Sequence, residues 1–117
     1  MDIERLRLSL KALANDTRLR MVNLLNQKEL MVKDICSILG VSQPTASKNL
    51  ERLLLLKIVT TRREGNFIFY KLNVSSEYGR IIQFLLSEFS DVEVFKDDKG
   101  KLVSPKEKET VVAGEKK

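Results

Sequence analysis

The 117-residue sequence has no histidine, no tryptophan and one cysteine, Cys36. Without histidine the chain lacks the usual general base, the usual pH switch near neutrality and the commonest metal ligand. A lone cysteine excludes a disulfide within the chain and is typical of a reducing compartment. Neither a glycine-rich phosphate loop nor a nucleophile elbow is present. The sequence therefore argues against an enzyme and against a bound cofactor.

Long apolar runs are also missing. The longest extends from Leu53 to Leu56, far short of the roughly 18 residues that a membrane span needs. The N-terminal MDIERLRLSL is too charged for a signal peptide, so we expect a soluble, cytoplasmic protein. Charge is abundant instead: 21 basic and 16 acidic residues give a net charge of +5. This excess is compatible with nucleic acid, an acidic partner or an anionic membrane.

Hydrophobic periodicity predicts four helices in the first half of the chain. Ile3, Leu6, Leu10 and Leu13 recur at helical spacing, and Gly40 is a typical stop signal. The predicted helices cover residues 3–14, the stretch between the caps at 15–17 and the end at 27–28, about 33–39, and 42–56.

After Lys57 the pattern alternates and is rich in β-branched and aromatic residues. It predicts a hairpin of strands 58–63 and 67–72 with its turn at Glu64-Gly65-Asn66. A fifth helix follows Ser75, with an apolar stripe on one face: Tyr78, Ile81, Ile82, Leu85, Leu86 and Phe89.

The charged stretch from Phe95 onward contains Gly and Pro, has no sustained period and reads as a flexible tail. The sequence thus divides into one domain, 1–94, and a tail, 95–117. The domain is mostly α with a hairpin, in the order α-α-α-α-β-β-α. That order is the plan of a winged helix-turn-helix, in which the third helix supports and the fourth reads DNA.

The fourth helix begins in the segment GVSQPTASKNLERL, with Ser42 as its N-cap. Ala46, Leu50 and Leu53 fall on one side, which we expect to face the core. The opposite side and its flanks present mainly polar and basic residues: Gln43, Pro44, Thr45, Ser47, Lys48 and Arg52. Gln can pair with adenine, Lys can reach guanine, and hydroxyls suit bases or phosphates. The alternative is a capped surface helix whose polar side chains are only solvated.

The hairpin strengthens the DNA-binding interpretation. Residues 42–71 contain six basic residues and two acidic ones, which is +4 of the chain's +5. We expect Arg62, Arg63 and Asn66 at the minor groove or its phosphates, and Arg52 and Lys71 on the DNA backbone. Three alternatives remain: a solubilised β-edge, a protein–protein module with an acidic partner, and an architectural DNA binder without an operator.

Four segments together resemble the ArsR–SmtB family of winged-helix repressors: KALANDTRLRMVNLL, ELMVKDI, GVSQPTASKNLERL and RREGNFIFYKLN. The resemblance runs from about Ile3 to Phe89. It implies a homodimer built on the first and last helices, a palindromic double-stranded DNA operator, and repression relieved by an inducer. It also implies DNA contacts by Gln43, Pro44, Ser47 and Lys48, with the wing tip at 62–66.

The sequence departs from the family's metal sites. Arsenic-sensing members carry Glu-Leu-Cys-Val-Cys-Asp-Leu-Cys, and here Met31 and Lys33 replace two of the three cysteines. The positive charge of Lys33 repels a metal cation, and the last helix has no histidine that could bind one. We therefore predict no metal site. The remaining Cys36 is either a small buried hydrophobe or a redox sensor whose thiolate Lys33 favours.

Overall fold

The computed structural model describes residues 2–102, which form six helices and one antiparallel hairpin. The elements are α1 (Ile3–Leu13), α2 (Asp16–Gln27), α3 (Val32–Leu39), α4 (Gln43–Leu55), β1 (Val59–Glu64), β2 (Phe67–Leu72), α5 (Glu77–Glu88) and α6 (Glu93–Gly100). The predicted order is confirmed through α5, and α6 follows it. None of the helices in this range is long and apolar enough to cross a membrane.

A short polar residue caps the N-terminus of each main helix. Its side chain accepts a hydrogen bond from a backbone N–H that has no partner within the helix. Asp2, Asn15, Ser42 and Ser76 cap α1, α2, α4 and α5 in this way. At the other end of α3, Gly40 adopts the left-handed conformation with φ of 69°, which a residue without Cβ does at little cost. The helix boundaries therefore follow local chemistry.

The core is centred on α2, α3 and α4, around a fully buried segment of α2, residues 21–25. Against it α3 packs Ile35, Ile38 and Leu39, and α4 packs Ala46, Leu50 and Leu53. Both inward faces are those that the periodicity predicts. Complete burial of the inner face of α4 fixes which of its residues point outward.

The hairpin pairs β1 with β2 from Val59 opposite Leu72 to Glu64 opposite Phe67. The first strand extends to Glu64 rather than 63, so the turn contains two residues, Gly65 and Asn66. Gly65 takes a φ of 60°, as the first position of a primed hairpin turn requires. On the edge of β2 that does not face β1, Tyr70 pairs with Leu30 through two backbone hydrogen bonds of 2.8 and 3.0 Å. This pairing attaches the hairpin to the segment before α3.

Only three residues separate α4 from β1, and they form a tight helix end. Lys57 has a φ of 59°, its N–H donates to the Leu54 carbonyl at 2.9 Å, and the Ile58 N–H donates to the Leu53 carbonyl at 3.0 Å. This pair of bonds is a Schellman motif, in which glycine usually occupies the position of Lys57. Leu53 and Ile58 are both fully buried, so the junction is fastened to the core.

The expectation of a flexible tail from Phe95 is wrong for the segment up to Gly100, which belongs to α6. Phe95 is 8% exposed, and Asp98 is 1% exposed. Asp98 accepts two hydrogen bonds of 2.8 Å from the Arg20 guanidinium on α2. These hydrogen bonds raise the pKa of Arg20. The helical domain thus continues past residue 94, while 103–117 lie outside the described residues.

The apolar stripes of α1 and α5 are largely uncovered. On α1, Ser9 and Ala12 are the buried positions, whereas Ile3 is 83% and Leu10 55% exposed. On α5, Ile82 and Leu86 enter the core, but Ile81 of the same stripe is 53% exposed. Phe84, which is not part of that stripe, is 63% exposed. Exposed apolar side chains of this size on two helices are typical of an association surface.

Candidate nucleic-acid interface

The first turns of α4 present an exposed polar surface. The Ser42 hydroxyl accepts from the Thr45 N–H at 3.3 Å and donates to the Thr45 hydroxyl at 3.0 Å. The predicted outward residues are all exposed: Gln43, Pro44, Thr45, Ser47, Lys48 and Arg52. The cap and the proline at the helix start hold this turn, and the backbone N–H groups of a helix N-terminus attract phosphate. The surface offers an amide, hydroxyls and cations together.

Asn49 is a polar residue of α4 that serves the fold instead of the surface. Its side-chain amide donates to the Thr45 carbonyl at 2.8 Å, and its oxygen accepts from Arg18 Nη1 at 2.8 Å. Arg18 also donates through Nε to the carbonyl of Ala12. Burial, and then repulsion from Arg52, lower the pKa of Arg18. Arg18 therefore joins the end of α1 to α4, a role that sequence reasoning missed because the partners are 31 residues apart.

In the hairpin, Arg62 is held by two carboxylates. Its Nε lies 3.1 Å from Glu29 Oε1, and its Nη1 lies 2.7 Å from Glu64 Oε2. Its guanidinium carbon lies 4.6 Å from the centre of the Phe69 ring, within cation–π range. The hydrogen bonds that Arg62 donates to Glu29 and Glu64 raise the pKa of Arg62, and the bond to Glu29 lowers the pKa of that carboxyl. Glu29 is a partner that the sequence did not reveal.

The other wing residues have more freedom. Arg63 lies opposite Ile68, on the face of the hairpin away from Arg62, and it is exposed. Among residues 2–102 no ion pair involves Arg63. Asn66 is exposed in the turn. Lys71 is exposed on the face that carries Arg62, where its charge helps to lower the pKa of Glu29.

Cys36 lies half-buried on α3, against the hydrophobic core. Lys33 is exposed one turn earlier on the same helix. Within the described part of the chain, no three Cys, Asp or Glu side chains are grouped so that they could hold a metal ion. The contact with the core gives Cys36 a packing role, and a redox role stays a prediction.

These elements define a class of protein. The supporting helix α3 is followed, after a short turn, by α4. The inner face of α4 is buried, and its outer face is polar and basic. A β-hairpin comes directly after α4. This is the architecture of a winged helix-turn-helix.

Comparison with known proteins is more specific. Residues 15–61 match the model of "Bacterial regulatory protein, arsR family". An arsenical resistance operon repressor of Staphylococcus aureus is 37% identical over 62% of this chain and 70% of its own length. The transcriptional activator HlyU of Vibrio cholerae is 38% identical over 65% of this chain and 69% of its own length.

Among solved structures, the homodimeric winged helix-turn-helix DNA-binding domain of Mb0332 from Mycobacterium bovis aligns with a TM-score of 0.65 and 32% identity, covering 76% of this chain and 81% of that one. The chain belongs to the arsR family of bacterial regulatory proteins. It is a DNA-binding transcriptional regulator with the winged helix-turn-helix fold.

Proposed function

We propose that the protein is a homodimeric repressor that binds a palindromic operator, with α4 in the major groove and the hairpin tip at the flanking minor groove. The observation that carries this proposal is the division of α4 into two faces. Ala46, Leu50 and Leu53 are completely buried, so Gln43 and Lys48 are directed away from the core on a helix that the domain holds rigidly.

Base recognition is assigned to the exposed side chains of the first turns. The amide of Gln43 can pair with adenine, Lys48 can donate to guanine O6 or N7, and the hydroxyls of Thr45 and Ser47 can reach bases or phosphates. Pro44 restricts the backbone at the start of the helix. Arg52, one turn beyond Lys48, is assigned to the phosphate backbone.

In the wing, Arg63 and Asn66 are assigned to DNA and Lys71 to the phosphates. Arg62 is assigned a positioning role, because its guanidinium is already shared between Glu29 and Glu64 and stacked on Phe69. By this contact Arg62 fastens the hairpin to the segment before α3.

Dimerisation is assigned to the exposed apolar faces of α1 and α5. The M. bovis neighbour is a homodimer, and two half-sites reached at once explain how a small domain gains affinity. Phe84, 63% exposed, is the residue to change. We expect Phe84→Glu to shift the protein to a monomer in analytical ultracentrifugation while its helical circular dichroism is retained; an unchanged dimer would contradict this interface.

Repression rather than activation is the direction we propose, following the S. aureus relative. The V. cholerae relative is an activator, so the direction needs its own test. A reporter driven by the protein's own promoter should be less active when the protein is supplied and recover with a Lys48→Ala variant. Increased reporter activity would reverse the assignment.

The DNA-binding proposal is tested by fluorescence anisotropy of the reduced protein on duplex DNA from upstream of its own gene. Binding that survives excess random duplex would establish an operator. Binding lost equally to random DNA would indicate an architectural binder, and no binding would favour a protein partner. Repeating the titration with oxidised protein and with Cys36→Ser tests the redox alternative.

A further inference from the structure

A cleft of about 440 Å³ lies between α1 and α4, and it borders the residues of α4 that are assigned to DNA. Its apolar wall is formed by Leu8, Leu55 and Leu56, and its polar rim by Lys11, Lys48, Glu51 and Arg52. The volume is within the range of roughly 300–1,000 Å³ that small-molecule sites occupy. The buried core does not account for this cleft, and the proposed DNA contacts account only for Lys48 and Arg52.

The apolar wall is unusual for the position it occupies. Leu55 is 76% exposed and Leu8 is 39% exposed, whereas the neighbouring Leu50 and Leu53 already supply the core contacts of α4. A large aliphatic side chain left in water at the end of this helix gains free energy by contacting an apolar ligand.

The rim carries three cations and one carboxylate, a net charge of +2. Among residues 2–102 none of Lys11, Lys48 and Arg52 forms an ion pair. Positive charge is crowded here: after burial, repulsion from Arg52 is the second cause that lowers the pKa of the adjacent Arg18. An anion in the cleft would relieve this repulsion.

We propose that the cleft binds a soluble, single-chain amphipathic carboxylate, and that this ligand releases the protein from DNA. The carboxylate would lie among the three cations of the rim, and the hydrocarbon chain would cover Leu8 and Leu55. Because Lys48 and Arg52 belong both to this rim and to the proposed DNA contacts, ligand and operator compete for the same cations. The competition rests on the proposed function; binding in the cleft does not.

The experiment uses decanoate, below the concentration at which it forms micelles, with decanol and decylamine as partners of equal chain length. Calorimetry on the DNA-free protein should give saturable binding of decanoate, weaker binding of decanol and none of decylamine. Decanoate should also displace the labelled operator in anisotropy. Equal binding of all three compounds, or no binding of decanoate, would overturn the proposal.

Two variants separate the cleft from the DNA surface. Lys11→Ala and Leu55→Asn change residues that are not assigned to DNA, so operator affinity should be nearly retained while about tenfold more decanoate is needed for release. Lys96→Ala on α6 is the matched control and should behave as the unmodified protein.

Three further outcomes count against the proposal. Unchanged decanoate affinity in both variants would place the ligand elsewhere. If Leu55→Asn weakens the dimer but leaves decanoate binding intact, the apolar wall of the cleft is a subunit interface and not a ligand site. Saturating decanoate that leaves operator binding unchanged would remove the competition. Calorimetry needs no DNA, so failure of the cleft and failure of the DNA-binding proposal are distinguishable.

Discussion

Helix α4 and the hairpin carry the same kind of charge and use it differently. On α4, Lys48 and Arg52 form no ion pair with any residue between Asp2 and Leu102. In the hairpin, Arg62 is bound by two carboxylates and stacked on an aromatic ring. The cations of the helix are available to a ligand, whereas one of the two arginines of the hairpin, Arg62, stabilises the hairpin itself.

The difference shows why a charge count is a coarse guide to an interface. The +4 of residues 42–71 treats Arg62 and Arg63 alike, but a neutralised guanidinium releases fewer counterions from DNA than a free one. Glu29 lies outside that segment, so the count leaves out a carboxylate that offsets the charge of Arg62. The comparison between helix and hairpin leads to four predictions.

The largest effect is expected on α4. Lys48→Ala should weaken binding to the operator by about 1–3 kcal/mol, because a base contact that discriminates between sequences is lost. Binding to random duplex should weaken much less. The measurement is the ratio of the two dissociation constants by anisotropy, with Lys96→Ala as control. An unchanged ratio would show that the reading face is wrongly assigned.

In the hairpin, the two arginines should respond differently to replacement. Arg63→Ala should lower affinity for all sequences and reduce the slope of log affinity against log salt by about one unit. Arg62→Ala should reduce the slope clearly less, because its charge is offset by Glu29 and Glu64. Salt titrations on random duplex decide the matter, and equal losses of slope would contradict the distinction.

The junction between the two regions should accept glycine. Lys57 holds φ at 59°, a conformation that costs an ordinary residue about 1 kcal/mol or more. Lys57→Gly should therefore raise the free energy of unfolding by about 0.5–1 kcal/mol in urea. Lys57→Ala keeps the strained backbone and should bring no such gain; equal stabilisation by both variants would refute the explanation.

The smallest effect concerns pH. Arg62 lowers the pKa of Glu29 below its usual 4.5, so the stabilisation from this pair is complete above that pH and disappears as pH falls through the lower folded value. The side-chain carboxyl carbon of Glu29, followed by NMR, should titrate below 4.5. In Arg62→Ala the midpoint should rise towards the ordinary value, with Lys71 still lowering it somewhat, and a midpoint insensitive to that change would count against the pairing.

Much of α4 could be predicted because its signals are local. The cap at Ser42 and the apolar spacing of Ala46, Leu50 and Leu53 lie within a few turns, and the structure places them as expected. Gly65 likewise marks the turn of the hairpin within its own strands.

What the sequence did not reveal depends on partners far along the chain. The stretch around α6 is charged and lacks a clear period, so its composition hides Phe95 and gives no sign that Asp98 meets Arg20, 78 residues earlier. Glu29 and Arg62 are separated by 33 residues. Such contacts arise only when the helices are packed, and no window of sequence contains both members.

The tight junction at Lys57 also limits how the protein can adapt. Leu53 and Ile58, on either side of this junction, are buried in the same core. We therefore infer that α4 and the hairpin keep a fixed orientation relative to each other. Where they grip DNA as proposed, a duplex whose grooves are spaced differently must bend or overwind to fit. Operators would then be ranked partly by their stiffness, at base pairs that no side chain touches.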